Sequence, residues 1–537
     1  MSELNPGIAP AGDFVKCNLP QGFRAATGRG WGAFSLEGRR FMGYIHEPYI
    51  AGYDPANRAV RTHRGRFTIF SSISKLRSTI AKSGIKQIDL KFTDLFGRWH
   101  HITVPPSHVN EKLFTNGVGF DGSSFPGLST IEQGDLALVP ELETGYLDPF
   151  RTESAISFIC RIAEADSKQP FSRDPRSISR KAEAYLKKTG IADVSMWGPE
   201  FEYYIFQEVR VKNSNKTCSV EIIPAEGLRE NTFGLWTFAG YHSIPPEDAM
   251  VDIRDETVSL LDASGVKSLY HHHEVGGHGQ VEIEVEFRPL TEMGDVSMKV
   301  KHFARMTAHR HGKIATFMPK PLYNEPGNGM HFHQFLVKRG TNVFSGKGAY
   351  AGLSALAHHY IAGLLKHAPS LLAFTNPSTN SYKRLVPGFE APVNCFFSLA
   401  NRSAAIRIPK YATDPRYKRM EFRPPDATCN SYLAMAAQLM AGIDGIKKKL
   451  DPTKEGFGPY DINIFEMSAR ERNKIMPLPT SLEDALRELD RDHAYLLEGS
   501  VFTESMIKDW IRLKREKEIM PVRNRPHPLE IQMYLDC

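Results

Sequence analysis

Several nucleotide-handling signatures are missing from this chain. It has no Walker GxxxxGK[ST], no HRD and DFG pair, and no GxGxxG in a strand–helix context, which excludes the P-loop, kinase and dinucleotide-binding folds. The six cysteines (Cys17, Cys160, Cys218, Cys395, Cys429, Cys537) lie far apart with no CxxC pair. That excludes a zinc ribbon or a disulfide framework and fits a reducing compartment. No stretch reaches the ~18 consecutive apolar residues of a membrane span. The opening MSELNPGIAPAGDF has no apolar signal core, so the expected location is cytoplasmic. No internal repeat is visible. Neither charge sign dominates: 67 Lys and Arg face 61 Asp and Glu, for a net +6. The one basic run (Arg512, Lys514, Arg515, Lys517) reads as a solvated helix face, and no nucleic-acid partner is expected.

What is present is the composition of a globular protein, with 41% hydrophobic and 24% charged residues. At 537 residues the chain exceeds one compact core, so two or more domains are expected. Residues 1–66 are rich in Gly, Pro and Arg without periodicity and read as an extension, partly disordered or laid on another surface. Then Ile73, Leu76 and Ile80 fall at helical spacing before Gly84, residues 88–92 alternate as a strand, 94–97 form a turn and 101–104 a second strand. These place a small α+β domain at 67–172. From 173 to 537 a larger domain follows, opened by a helix at 173–190 with Pro175 in its first turn. The spacing predicts further helices at Met298–His311, Leu353–Ala368, Tyr432–Lys449 and Ser481–Leu497.

Four stretches of this second domain carry polar groups at every other position: Glu200-Phe201-Glu202, Glu282-Ile283-Glu284, His331-Phe332-His333 and Glu421-Phe422-Arg423. On strands each would send its polar pair to one face and its apolar residue into the core. Like charges on one strand face repel unless a cation sits between them. Gly276, Gly277 and Gly279 allow a bend that brings Glu274 toward Glu282. His271–His273 cannot all ligate one ion, since neighbours on a strand point apart, so packing and support roles are expected of them. Gly327 and Gly329 precede the His pair and let a ligand approach the backbone closely. Arg384, Arg402, Arg407, Arg416, Arg419 and Arg423 cluster in Pro- and Asn-rich segments, and planar guanidiniums suit phosphate and carboxylate oxygens. Glu390 sits on a Pro- and Gly-punctuated loop, VPGFEAP, that reads as a mobile flap. Glu and His donors with several arginines favour Mg2+ or Mn2+ and phosphoryl transfer.

Those stretches, with Phe120-Asp121-Gly122-Ser123-Ser124, GPEFEYY from Gly198, HHHE at 271–274, GNGMHFH from Gly327, NPSTNSYKRLVPGFEAP from Asn376, NRSAAIRIP from Asn401 and RMEFRPPD from Arg419, occur in one order. Over roughly Thr68 to Cys537 the chain resembles the type I glutamine synthetases. The resemblance implies a β-grasp N-terminal domain and a catalytic domain with a curved antiparallel sheet flanked by helices. It implies ATP-dependent ligation of ammonia to the γ-carboxylate of L-glutamate through γ-glutamyl phosphate. It implies two or more Mg2+ or Mn2+ ions per site, one on Glu202, Glu274 and Glu282 and another on Glu200, His331 and Glu421. Arg402, Arg407 and Arg419 would hold phosphates, with His333, Arg416 and Phe287 also on the nucleotide side. Arg384 and Arg423 would hold glutamate, with the Gly327 backbone alongside. Asp121 and Ser124 from a neighbouring subunit would complete an ammonium pocket with Tyr241, Glu274 and Glu390. Asp121 would deprotonate ammonium and Glu390 would shield the acyl phosphate. A dodecamer of two hexameric rings, locked by the C-terminal tail, is implied too.

Leu269 stands where such proteins often have a Glu near the ribose, Phe335 where they have a small polar residue and Pro326 where they have an Asn. Phe465 lies where some carry a nucleotidylated Tyr and has no hydroxyl to modify. Two other readings stay open: a γ-glutamylamide synthetase using a different amine, and a non-catalytic assembly-forming relative.

Overall fold

The computed structural model describes residues 70–537 apart from 228–234, 236–237, 348–349 and 463; the extension expected at 1–66 lies outside the described residues. The first helix runs Ile73–Ser83, capped by the Ser72 side chain and ended by Gly84 at φ 60°. A six-stranded sheet follows: β1 (Gln87–Thr93), β2 (Trp99–Val104), β3 (Val118–Asp121), β4 (Asp135–Pro140), β5 (Tyr146–Leu147) and β6 (Ala155–Glu164). Its order is β2-β1-β6-β4-β3, with β5 also on β6. Only the β1–β6 pair is parallel. Leu76, Ile88, Leu90, Ile156 and Phe158 form its core, each fully buried.

The helix Pro175–Thr189, capped by Asp174 with Pro175 at its start, leads into the larger sheet. Its strands are β7 (Val194–Asn213), β8 (Cys218–Pro224), β9 (Ser268–His273), β10 (Gln280–Val285), β11 (Arg288–Pro289), β12 (Ile314–Thr316), β13 (Phe332–Lys338), β14 (Thr341–Asn342), β15 (Phe397–Leu399), β16 (Ile406–Ile408) and β17 (Met420–Phe422). The main path is β15-β16-β17-β13-β7-β10-β9. The fold is α+β, as the sequence implied, with one qualification: β15 and β16 run parallel while their neighbours are antiparallel. The 20-residue β7 is the spine. Its start pairs with β13 and its middle with β10, so the motifs from four distant segments meet along it.

Helices 290–310, 355–375 and 431–448 cover the apolar side of this sheet and are buried over most of their length. The last two pack with backbones almost touching. A Cβ on Gly363 would meet the Ala441 carbonyl at 2.3 Å and the Gly445 Cα at 2.8 Å, so only glycine fits there. Three helix boundaries differ from the periodicity. The helix expected from Met298 begins at Leu290. The one expected to stop at Ala368 runs through Pro369 to Thr375, because burial against 431–448 outweighs the lost backbone hydrogen bond. The stretch 481–497 is two helices, Leu482–Arg491 and Ala494–Leu497, broken where Asp492 turns to His367 (2.7 Å). Lys514 is a further correction. It is 3% exposed, its ammonium 4.9 Å from the Phe96 ring centre and 4.8 Å from that of Trp510, and it is bonded to Glu518. No helix among the described residues is long and apolar enough to cross a membrane.

Candidate active site

Strand pairing sets the site. On β7 and β10, Glu202 faces Glu282 and Glu200 faces Glu284. On β10 and β9, Glu282 faces His272 and Glu284 faces Tyr270. On β13 and β17, His333 faces Glu421, which also faces Arg407 on β16. Phe201, Ile283, Phe332 and Phe422, the alternate residues, are fully buried in the core, so the polar members project to the opposite face. Glu200, Glu202, His272, Glu282, Glu284 and His331 line a cavity of about 590 Å³ together with Tyr241, Glu274, Gly327, Glu390 and the arginines 384, 402, 407 and 423, and His333 and Glu421 reach it through Glu200.

Two ends of this cavity differ in charge. At one end Glu200 bonds His331 Nδ1 (2.7 Å) and His333 Nε2 (2.9 Å). Burial pushes its carboxyl up, but these imidazoles outweigh burial and hold it well below the ordinary carboxylate range. Glu421, fully buried, accepts from Arg407 Nη1 (2.5 Å) and from Arg423. Burial is again the largest influence, and the Arg423 charge reverses it so that Glu421 stays low. At the other end the partners are weaker: Glu282 has His272 Nε2 at 3.6 Å and Glu284 the Tyr270 hydroxyl. Burial and then the Glu202 charge push Glu274 up to about 8. Burial and then Glu200 push Glu284 up to about 7 and Glu282 well above the usual range. A cluster of anions that resists ionising is one that a multivalent cation would relieve.

Three sets of side chains place donor atoms within 4.8 Å of one another: Glu200, His331 and Glu421; His272, Glu274 and Glu282; and Glu200, Glu282 and Glu284. Oxygen-rich donors with one imidazole fit Mg2+ or Mn2+. Glu202 belongs to none of these sets. Its Oε2 accepts from the Gly329 N–H (2.6 Å), and its Oε1 is 3.8 Å from His331 Nε2. A Cβ on Gly329 would meet that imidazole at 2.5 Å and Arg384 Nη2 at 2.6 Å, so glycine is required for this approach.

Other residues take distinct places. Arg384, buried, bonds His331 Nε2 (3.0 Å) and the Pro424 carbonyl (2.7 Å). Gln280 holds the Gly327 carbonyl (3.1 Å). Glu390 is exposed at φ 55°, its carboxylate 3.4 Å from Arg402 Nη1, on a loop whose Phe389 stacks with Phe238 (5.8 Å). Arg419 lies over Phe287 (5.5 Å) and Tyr411 (5.3 Å), and Phe287 approaches His333 (6.5 Å) and Phe335 (5.4 Å). Pro326 lines the cavity and its carbonyl accepts from Tyr204, while Leu269 is exposed beside Tyr270.

Arg419 and Phe287 do not line this cavity but stack next to Tyr411 of its wall, and three further sequence candidates lie away from it. Arg416 is an exposed residue paired with Asp414 (2.6 Å), two positions away, because its segment is a 3-10 turn that points its side chain outward. Asp121 and Ser124 sit on the N-terminal sheet, where Ser124 Oγ bonds Asp121 Oδ2 (2.9 Å). Conversely His272 and Glu284 join the clusters without having been singled out as ligands. The alternation in His271–Glu274 and in Glu282–Glu286 carried that signal. The other two histidines of the triplet turn away, His271 to Asp255 (3.2 Å) and His273, fully buried, to Glu226 (2.8 Å).

Cation-ready carboxylates and four guanidiniums in one cavity define a site for metal-assisted handling of phosphate and carboxylate groups, on a curved sheet beside a β-grasp domain. Comparison with known proteins narrows this class. A family model described as the catalytic domain of glutamine synthetase matches residues 172–534, and one described as its beta-grasp domain matches 84–165. The chain is 43% identical over 469 residues to the glutamine synthetase of Mycolicibacterium smegmatis, covering 85% of this chain and 97% of that protein. It is 45% identical over 461 residues to that of Microchaete diplosiphon, covering 84% and 97%. In structure it resembles the Plasmodium falciparum glutamine synthetase, with TM-score 0.79 and 28% identity over 87% of this chain and 99% of that one. It also resembles a GmaS/ADP complex, with TM-score 0.72 and 26% identity over 86% and 99%. The chain belongs to the glutamine synthetase family and is a ligase.

Proposed function

We propose that this protein ligates ammonia to the γ-carboxylate of L-glutamate at the expense of ATP, releasing glutamine, ADP and phosphate. The observation that carries the reading is the union of two cation-ready clusters and four arginines in one cavity under a loop bearing an acid. Glu200, His331 and Glu421 would hold one divalent ion. Glu202, Glu274 and Glu282 would hold a second, with His272 in reach of the same oxygens. The ions supply neutralisation of phosphate charge.

The chain's own residues do the rest. Arg384 and Arg423 bind the carboxylates of glutamate, and the Gly327 backbone flanks them. Arg402, Arg407 and Arg419 hold the phosphates, and His333 and Phe287 flank the nucleotide. The γ-carboxylate oxygen attacks the terminal phosphorus of ATP and ADP leaves. Ammonium is not nucleophilic, so Glu274, Tyr241 and Glu390, with Asp121 and Ser124 of the partner subunit, collect it, and Asp121 of the partner subunit takes its proton. Ammonia then attacks the acyl carbon and phosphate leaves. Glu390 closes over the acyl phosphate and keeps water out. Asp121 does not line its own chain's cavity, which supports a site shared between subunits, and we take the assembly to be a cytoplasmic dodecamer of two hexameric rings.

The test is turnover of ATP, Mg2+ and glutamate with ammonium, methylamine or ethanolamine, following phosphate and amide together. Amide formation from ammonium in preference to the other amines is expected. Preference for another amine sinks the acceptor assignment, and no turnover with any amine sinks the enzyme reading. Light scattering after size exclusion gives the subunit number.

A further inference from the structure

A second cavity, larger than the first at about 850 Å³, lies between the β1–β2 turn, the Ser124–Pro126 loop, the helix Leu290–Arg310 and the end of the helix Glu504–Lys514 with the turn Arg515–Ile519 that continues it. Its charge is unbalanced. Arg98, Lys301, Arg305, Lys514 and Lys517 line it against only Asp94 and Glu518. Both acids are already engaged. Asp94 accepts from His100 Nε2 (3.0 Å) and the Arg98 backbone N–H (2.8 Å), and Glu518 accepts from Lys514 (2.5 Å).

The remaining cations make no ion pair among the described residues, although the Asp426 carboxyl bears on Lys301 from a distance. Lys301 is 4% exposed, and its ammonium reaches only the Ala427 and Cys429 carbonyls, each at 3.3 Å. Burial, the largest influence, pushes it down to about 8, and the Arg305 charge adds to this. Lys301 and Arg305 are four residues apart on one helix and so share a face. The Arg305 guanidinium packs on Phe317 (5.4 Å). Neither it nor the Arg98 guanidinium, whose charge bears on it, has a carboxylate or other hydrogen-bond acceptor among the described residues. On the same wall Trp99 Nε1 is buried without an acceptor. Lys301 is the buried charge here, and burying one without a counter-ion is costly; Arg98 and Arg305 are exposed, and Arg with Lys around one space is the donor set that phosphate oxygens fit.

We propose that this cavity is a second ligand site that takes a phosphate-bearing small molecule, its oxygens held by Arg98, Lys301 and Arg305. Ser124, Phe125 and Pro126 follow closely on Asp121 and form one wall, so an occupant touches the segment that carries that residue. Lys514 is excluded from the binding set, because Glu518 and two aromatic rings already satisfy it. The site stands independently of the ligase reading.

The probe is inorganic pyrophosphate, titrated calorimetrically into the full-length protein in EDTA. The titration is done in an Arg407→Ala background, which weakens phosphate binding in the first cavity. One binding event per chain is expected to remain, and Arg98→Glu with Arg305→Glu should weaken it tenfold or more. Arg98→Lys with Arg305→Lys should recover part of it. If the charge reversals disturb assembly, Arg98→Gln with Arg305→Gln provides the same reading. No remaining event, or one that the Arg98 and Arg305 substitutions leave unchanged, overturns the proposal. Loss of ligase turnover leaves it standing.

Discussion

The carboxylate cluster makes the metal-free protein sensitive to alkali in a way that one substitution should remove. Glu274 is raised from 4.5 to about 8, by burial first and by the Glu202 charge second. A carboxyl with a raised folded-state value favours the fold fully below the unfolded value, near 4.5. It loses that contribution as pH rises through about 8. The interval is about 3.5 pH units, and at about 1.36 kcal/mol per unit the ceiling is about 5 kcal/mol for this group. Glu282 and Glu284 share the same repulsion, so their contributions do not simply add to it. Thermal unfolding of the EDTA-treated protein, measured every half unit from pH 5 to 8.5, should show the apparent Tm falling across this window. Glu274→Gln removes one titrating charge and should flatten the fall and raise the Tm at pH 8. Saturating Mg2+ should flatten it in the wild type and do less in the variant. Identical slopes for the two EDTA-treated proteins, or no effect of Mg2+ on the wild type, would refute the account of this cluster as an unneutralised cation site.

Three further outcomes follow from single contacts. Glu390→Ala should leave ATP binding within about twofold, because the Glu390 carboxylate is exposed and among the described residues pairs only with Arg402, while its backbone carbonyl, which accepts from Arg423, is kept. Phosphate release should then exceed amide formation, and a ratio unchanged from wild type in a coupled phosphate–amide assay would rule out its shielding role. Arg384→Ala should raise the KM for glutamate roughly 10- to 100-fold, the worth of a charged hydrogen bond, with a smaller change in the KM for ATP, as initial rates under varied substrate will show. Asp295→Ala takes from the buried Arg176 guanidinium the carboxylate it meets at 2.9 Å through two nitrogens, leaving it Glu141 at 3.6 Å, and frees Tyr432 Oη (2.6 Å). A loss of about 3–5 kcal/mol is expected, read by urea denaturation; a loss under 1 kcal/mol would mean that water enters and rescues the arginine.

The sequence alone determined which strands carry polar residues on one face, since period-two alternation in Glu200–Glu202, Glu282–Glu284, His331–His333 and Glu421–Arg423 is a local property of extended backbone. It likewise marked the helix 175–189 through Asp174 and Pro175, and the end of the first helix through Gly84, because caps act within a few residues. Only the tertiary structure decided the partners. That Glu202 meets Gly329 while His272 stands with Glu274 and Glu282 depends on the register between β7, β10 and β9, which long-range pairing sets. The structure also decided that the helix 355–375 runs through Pro369, that Lys514 is buried under Glu518, and that Arg416 turns away. For the helix and for Lys514, burial against segments remote in the chain outweighed a local preference, whereas Arg416 is turned out by its own short turn and its pairing with Asp414. Local signals fix what a residue can offer, and packing fixes what it meets.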